Sequence, residues 1–178
     1  MKENKPFTYV GYLPEFDALV EKISVLTDET WCEYKGRKKT GGVASYVTET
    51  IPLLYSPNAT SVKNLIHHKY HQYLQVEINR MCIFVSNLVG DVKEKQSMLT
   101  RLGPGGLIKT HKDKGPITRQ THRVHLPIIT NDRCTFTVGE VTMKLKPGDI
   151  WIIDNTDQFH SVENNGESPR IHLIVDMA

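Results

Sequence analysis

The sequence predicts a mainly β fold with helices in its amino-terminal part: a jelly-roll (double-stranded β-helix, cupin-like) core with the helices packed on one outer sheet. Three observations carry this. Apolar residues recur at helical spacing in the first half of the chain, the period falls to two from about residue 97, and the short segments that follow are β-branched and cut by turn signals. A chain of 178 residues is long enough for one domain with a hydrophobic core of its own. Within it, residues 1–96 read as a mainly helical support region and 97–178 as the jelly roll.

After Pro14, residues Phe16, Leu19, Val20, Ile23 and Leu26 lay one apolar helical stripe. A longer helix is expected over about 61–81, with Val62, Leu65, Ile66, Tyr70, Tyr73, Leu74, Ile78 and Met81 on its buried side. The strands are then "HRVHLPIIT", "CTFTV", "VTMKLK", "DIWIID", "FHSV" and "RIHLIVDM". Their punctuation includes "GE" at 139, "KPGD" at 146 and "NNGESP" at 164.

A formal charge of +2 is too small to imply nucleic-acid binding. The basic cluster "YKGRKKTGG" at 34–42 lacks the interleaved aromatics of a base-stacking surface and reads as a solvated loop. The amino terminus has no apolar signal region, and no run of about 18 apolar residues occurs, so a soluble, cytoplasmic protein without membrane association is expected. Cys32, Cys82 and Cys134 are scattered and read as reduced and structural.

Side chains alternate across a strand, so in 122–128 one face carries Val124, Leu126 and Ile128 and the other Arg123 and His125. The last strand repeats the arrangement, with Ile171, Leu173 and Val175 opposite Arg170 and His172. If helices cover the apolar face, the polar face points into the jelly roll, where an unpaired charge costs several kcal/mol or more. Both arginines then need an anionic partner inside. A solvent-facing polar side is the alternative for either strand taken alone.

In "THKDKG", His111 and Asp113 are two apart and can point the same way from a strand end, and His160 in "QFHSVENNG" lies on a later strand. Two imidazoles and a carboxylate on one face of a metal leave three positions open, the arrangement of non-haem Fe(II) oxygenases. By itself an H-x-D pair with a distant histidine is a weak signal in a chain with eight histidines.

The order and spacing of "HKDKG", "RVHLPI" and "GDIWIIDNTDQFHSVENNGESPRIHLIVD" resemble the aspartyl/asparaginyl β-hydroxylase family of Fe(II)/2-oxoglutarate-dependent dioxygenases, including its bacterial free-amino-acid branch such as the proline cis-4-hydroxylases. The resemblance covers roughly residues 97–177. It implies that His111, Asp113 and His160 bind the iron and that Arg170, ten residues beyond His160, pairs with the distal carboxylate of 2-oxoglutarate. It further implies that Arg123 and His125 hold the cosubstrate near its iron-chelating end and that the Thr100 hydroxyl contacts it. The implied reaction consumes O2, decarboxylates 2-oxoglutarate to succinate and CO2, and hydroxylates an amino acid or an amino-acid residue of a peptide or protein. One branch of the family has glycine at the acidic ligand and acts on epidermal growth factor-like domains in the secretory pathway; Asp113 departs from that pattern.

Other motifs carry less. His67 and His71 are four apart, a spacing that can hold zinc, but no third ligand stands nearby in sequence and the segment fits an amphipathic helix edge. His172 faces the same way as Arg170 and is equally a packed core histidine. Trp151 reads as core, and Cys134 has no basic activator beside it. "GGV" at 41–43 and "GPGG" at 103–106 lack the phosphate-loop pattern and read as turns. Two rival functions stay open: a non-catalytic cupin-like module binding a metal or small anion, and a cupin-type metalloenzyme that uses no 2-oxoglutarate. The second has no evident use for Arg170 and Arg123 together.

Overall fold

The computed structural model describes residues 5–33, 47–56 and 65–178. Its elements in chain order are β1 (Phe7–Tyr12), α1 (Phe16–Ser24), α2 (Asp28–Glu33), β2 (Thr48–Tyr55), β3 (Ile66–His67), α3 (Lys69–Tyr73), α4 (Gln75–Val89), β4 (Glu94–Leu102) and β5 (Gly106–His111). A 3₁₀ turn at Thr118–Gln120 leads into β6 (His122–Ile129), β7 (Cys134–Val138), β8 (Val141–Met143), β9 (Asp149–Ile153), β10 (His160–Asn164) and β11 (Arg170–Met177).

The strands form two antiparallel sheets, one of seven in the order β1-β9-β6-β11-β4-β2-β3 and one of four in the order β5-β10-β7-β8. This is the expected mainly β jelly roll with helices on one sheet. The alternation decides which face goes where. Val124, Leu126 and Ile128 of β6 and Ile171, Leu173 and Val175 of β11 are buried with Leu19 and Ile23 of α1 and Ile78, Met81 and Val85 of α4. A second core of Leu102, Ile108, Phe136, Val138, Ile153 and Val162 fills the space between the sheets. At one end of that interior the packing is polar, and there the site lies.

The helix after Pro14 forms with Phe16, Leu19 and Ile23 buried and Val20 and Leu26 packed at the edge. The second helix departs from expectation. Residues 61–64 lie outside the described residues; Ile66 and His67 pair with β2, and a short α3 is separated from α4 at Leu74. Ile66 and Tyr73, expected to be buried, are each 43% exposed, while the stripe Leu74, Ile78, Met81, Val85 runs past residue 81. The exposed Ile83 inside that run blurs the helical period in sequence.

The region over 1–96 is also more than helical support, because β1 and β2 belong to the main sheet. Both hide their strand character. β1 is an edge strand with a bulge at Tyr9/Gly11, and β2 carries Pro52 where the register with β4 shifts, a place at which a sheet tolerates proline. The "KPGD" turn needs its glycine: Gly148 has φ 84°, and a Cβ there would come within 2.4 Å of the Tyr12 ring. The basic cluster at 34–42 and the "GGV" turn fall outside the described residues.

Candidate functional site

His111 and His160 face each other because β5 and β10 are paired in a register that puts these two residues directly opposite, with ring centroids 4.1 Å apart. Asp113 lies two residues beyond the end of β5. Its backbone N–H donates to the Asn155 carbonyl at 2.9 Å, and its Oδ2 accepts from Asn155 Nδ2 and Arg123 Nη1. That leaves Oδ1 facing inward, 3.5 Å from His111 Nε2 and 3.9 Å from His160 Nε2. One ligand atom from each of the three residues lies within 4.8 Å of the others, and among the described residues this is the one such group of three.

The protonation states suit a cation. His111 Nδ1 donates to the Lys109 carbonyl at 2.7 Å, which leaves the Nε2 lone pair for the centre. Its pKa is raised, chiefly by the side-chain contact with Asp113. Burial pushes His160 down to about 4, hence neutral at pH 7. For Asp113, burial works toward a higher value, but the Arg123 guanidinium and the hydrogen bond from His111 outweigh it and hold the carboxylate well below its ordinary range.

Behind the triad the two arginines have different surroundings. Arg123 donates from Nε and Nη2 to the two oxygens of Asp176 at 2.7 and 2.8 Å and from Nη1 to Asp113, and the two carboxylates more than offset its burial. The anionic partner that the sequence demanded for Arg123 is therefore protein, and its place is a buttress of Asp113 rather than a free fork. Arg170, 3% exposed, faces no carboxylate among the described residues: Nη2 donates to His172 Nδ1 at 2.8 Å, and its guanidinium carbon lies 5.6 Å from the centre of the Phe136 ring. Burial pushes its pKa down to about 10, so it stays charged at neutral pH.

Arg170, Thr100 and His125 line the same cavity as the triad. Thr100 is buried on β4, its neighbour in register on β11 is His172, and its Oγ1 has no hydrogen-bond partner among the described residues. His125 Nδ1 sits 3.4 Å from His172 Nδ1, and both rings are held well below the usual imidazole pKa, first by burial and then by Arg170. All seven residues singled out in the sequence thus converge on one end of the jelly roll.

The neutral histidines set a pH dependence. In the unfolded chain His125 and His172 bind protons below about pH 6.5, whereas their folded pKa values are lowered. Below pH 6.5 the unfolded chain binds more protons, so stability falls as the pH falls, by about 1.4 kcal/mol per residue per pH unit. Urea unfolding of the metal-free protein at pH 7.5 and 5.5 is expected to show a loss of about 2–3 kcal/mol from this pair at the lower pH. Equal stabilities at the two pH values would contradict it.

Three contributors escaped the sequence reading. Asp176 is fully buried on β11, and the two-residue alternation that groups Arg170 with His172 extends to it through Ile174. Phe136 packs on His125, His160 and Arg170. Asn155 sits in a loop, and no periodicity points to it. Trp151, expected in the core, is half-buried against Phe7 and Tyr9. Cys134 is buried at the start of β7.

Comparison with known proteins gives a family and a fold. The family model for aspartyl/asparaginyl beta-hydroxylase matches residues 64–178. Among solved structures, an oxidoreductase of the 2OG-Fe(II) oxygenase family from Burkholderia pseudomallei superposes with a TM-score of 0.60 at 13% identity, over 74% of this chain. The match spans 66% of that protein, just under two thirds of its length. A non-heme monooxygenase, ThoJ, in complex with nickel has a TM-score of 0.61 at 13% identity, over 98% of this chain and 74% of its own. SnoN, a non-heme alpha-ketoglutarate-dependent epimerase from nogalamycin biosynthesis, has a TM-score of 0.59 at 12% identity, over 98% of this chain and 78% of its own. At these identities the likeness is one of fold. No helix among the described residues is long and apolar enough to cross a membrane.

Proposed function

The chain belongs to the aspartyl/asparaginyl β-hydroxylase family, and on that premise we propose that it is an Fe(II)/2-oxoglutarate-dependent dioxygenase that hydroxylates an amino acid, free or within a peptide or protein. The observation that carries the reading is Arg170. A guanidinium buried to this degree without a carboxylate calls for an anionic ligand, and its cavity is the one that holds the His111, Asp113, His160 group.

The residues present fit the implied groups. His111 Nε2, one oxygen of Asp113 and His160 Nε2 would hold Fe(II) on one face, a donor set of two imidazoles and a carboxylate that leaves positions for other ligands. Arg170 would take the distal carboxylate of 2-oxoglutarate, with the Thr100 hydroxyl as a second donor, since its Oγ1 is already dehydrated and unpaired. When bound, iron and 2-oxoglutarate supply the oxidising chemistry, in which O2 is consumed, 2-oxoglutarate becomes succinate and CO2, and a hydroxyl enters the substrate. The chain's own residues position and insulate. Arg123, pinned by Asp176, holds Asp113 ionised with one oxygen turned inward, and the Lys109 carbonyl holds the tautomer of His111. Phe136, Ile108 and Val162 give the cavity apolar walls, which keep water from the reacting bond.

Anaerobic addition of Fe(II) and then 2-oxoglutarate to the metal-free protein is expected to give the weak visible charge-transfer band of an iron-chelated 2-oxo acid, and aerobic incubation should release succinate. Both signals are expected to vanish in His160→Ala. Iron binding without the band, or succinate release unchanged in the variant, would reject the reading.

A further inference from the structure

Away from this site, His67 on β3 and His71 on α3 bring their Nδ1 atoms to 3.0 Å, with the rings 73° apart. We propose that this pair is a second metal site, chelating a divalent cation of the nickel(II) or copper(II) class through the two Nδ1 atoms. It does not rest on the proposed activity.

Local structure turns both rings to one point. β3 is only two residues long, and its pairing of His67 with Leu54 of β2 puts His67 at the sheet edge just before α3. His71 lies one turn further along and is 4% exposed, and its other nitrogen, Nε2, meets Glu94 Oε2 at the start of β4 at 2.9 Å. The Glu94 side chain is 10% exposed, and its second oxygen is buried without a partner. A carboxylate at Nε2 makes that nitrogen the donor and leaves the Nδ1 lone pair directed at His67. Carboxylate, histidine and cation in line is the arrangement that raises the basicity of metal-ligating histidines. It also gives the buried Glu94 charge a cation to balance.

The separation selects the geometry. With metal–nitrogen bonds of about 2.0–2.1 Å, two nitrogens 3.0 Å apart subtend an angle of about 90° at the metal. That is a pair of neighbouring corners of an octahedron or square, as nickel(II) and copper(II) prefer, and is narrower than the tetrahedral angle of structural zinc. A surface recess lined by His67, His68, Lys69, His71, Gln72 and Gln75 opens onto the pair; the Lys69 ammonium is paired with Glu33 at 2.9 Å, and solvent can fill the remaining positions. With two protein ligands, this site binds more weakly than the His111, Asp113, His160 group.

The test is equilibrium dialysis of tag-free protein against Ni2+, with metal counted per chain, for wild type, His67→Ala, Glu94→Gln and His160→Ala. His67 is exposed, so its removal leaves the core untouched. Two classes of site are expected in wild type. His67→Ala should lose the weaker class alone, His160→Ala should keep it, and Glu94→Gln should weaken it by about 10- to 100-fold. With Cu2+ as probe, the electron paramagnetic resonance spectrum of His160→Ala should show coupling to a pair of imidazole nitrogens that is reduced on adding His67→Ala. A wild-type isotherm that His67→Ala leaves unchanged overturns the proposal, whatever the number of ions bound, and so does a copper spectrum in the double variant identical to that of His160→Ala.

Discussion

Arg170→Met is expected to abolish 2-oxoglutarate-dependent succinate release while making the ligand-free protein more stable. In the ligand-free fold the guanidinium is buried with a neutral imidazole and an aromatic face as its partners. Neither returns the several kcal/mol that dehydrating a full charge costs. A methionine of similar length removes that cost and fills the same space, for a gain of about 1–4 kcal/mol in urea unfolding. The same change removes the fork that would hold the distal carboxylate, so the 2-oxoglutarate-dependent charge-transfer band should be lost even though iron still binds through His111, Asp113 and His160. A variant that is destabilised and still turns over 2-oxoglutarate would show Arg170 to be a structural cation instead.

Arg123→Met should do the reverse to stability. Here the guanidinium is the shared partner of Asp176, which is fully buried, and of Asp113. Removing it strands a buried carboxylate, which costs about 3–5 kcal/mol. Metal affinity should fall by about 10- to 100-fold because Asp113 loses one of the two side chains that aim it. Pairing the change with Asp176→Leu separates the two effects: stability should largely return once both charges are gone, whereas metal affinity should stay low. If the double variant is no more stable than Arg123→Met alone, the Arg123–Asp176 pair is not what the single change disrupts. Opposite signs at two arginines on neighbouring strands would distinguish a ligand-binding charge from a buttressing one.

Much of this site is legible in the chain because strand chemistry repeats every two residues. Alternation in 122–128 and 170–175 sorts Arg123, His125, Arg170 and His172 onto one face and the core aliphatics onto the other, and the fold keeps that sorting. What alternation does not carry is which charge satisfies which. Arg123 and Arg170 look equivalent as a sequence pattern, yet Asp176 lies opposite Arg123 across the β11–β6 pair, and among the described residues no carboxylate lies against Arg170. The helical periodicity of 74–85 was equally readable in kind but not in extent, since the edge pairing of β3 and the break at Leu74 depend on β2 lying alongside.

The sequence by itself determined the elements whose character is local: the helix after Pro14, the six carboxy-terminal strands and the polar faces of two of them, along with the residue types able to hold a metal. Those follow from period, branching and turn chemistry, which act over a few residues. Only the tertiary structure decided the partnerships. The register of β5 with β10 brings His111 opposite His160, a loop brings Asn155 to Asp113, and the end of the last strand brings Asp176 to Arg123. Each joins residues tens of positions apart, where the deciding energy is the pairing of dehydrated charges and strands, and a one-dimensional pattern holds no record of it.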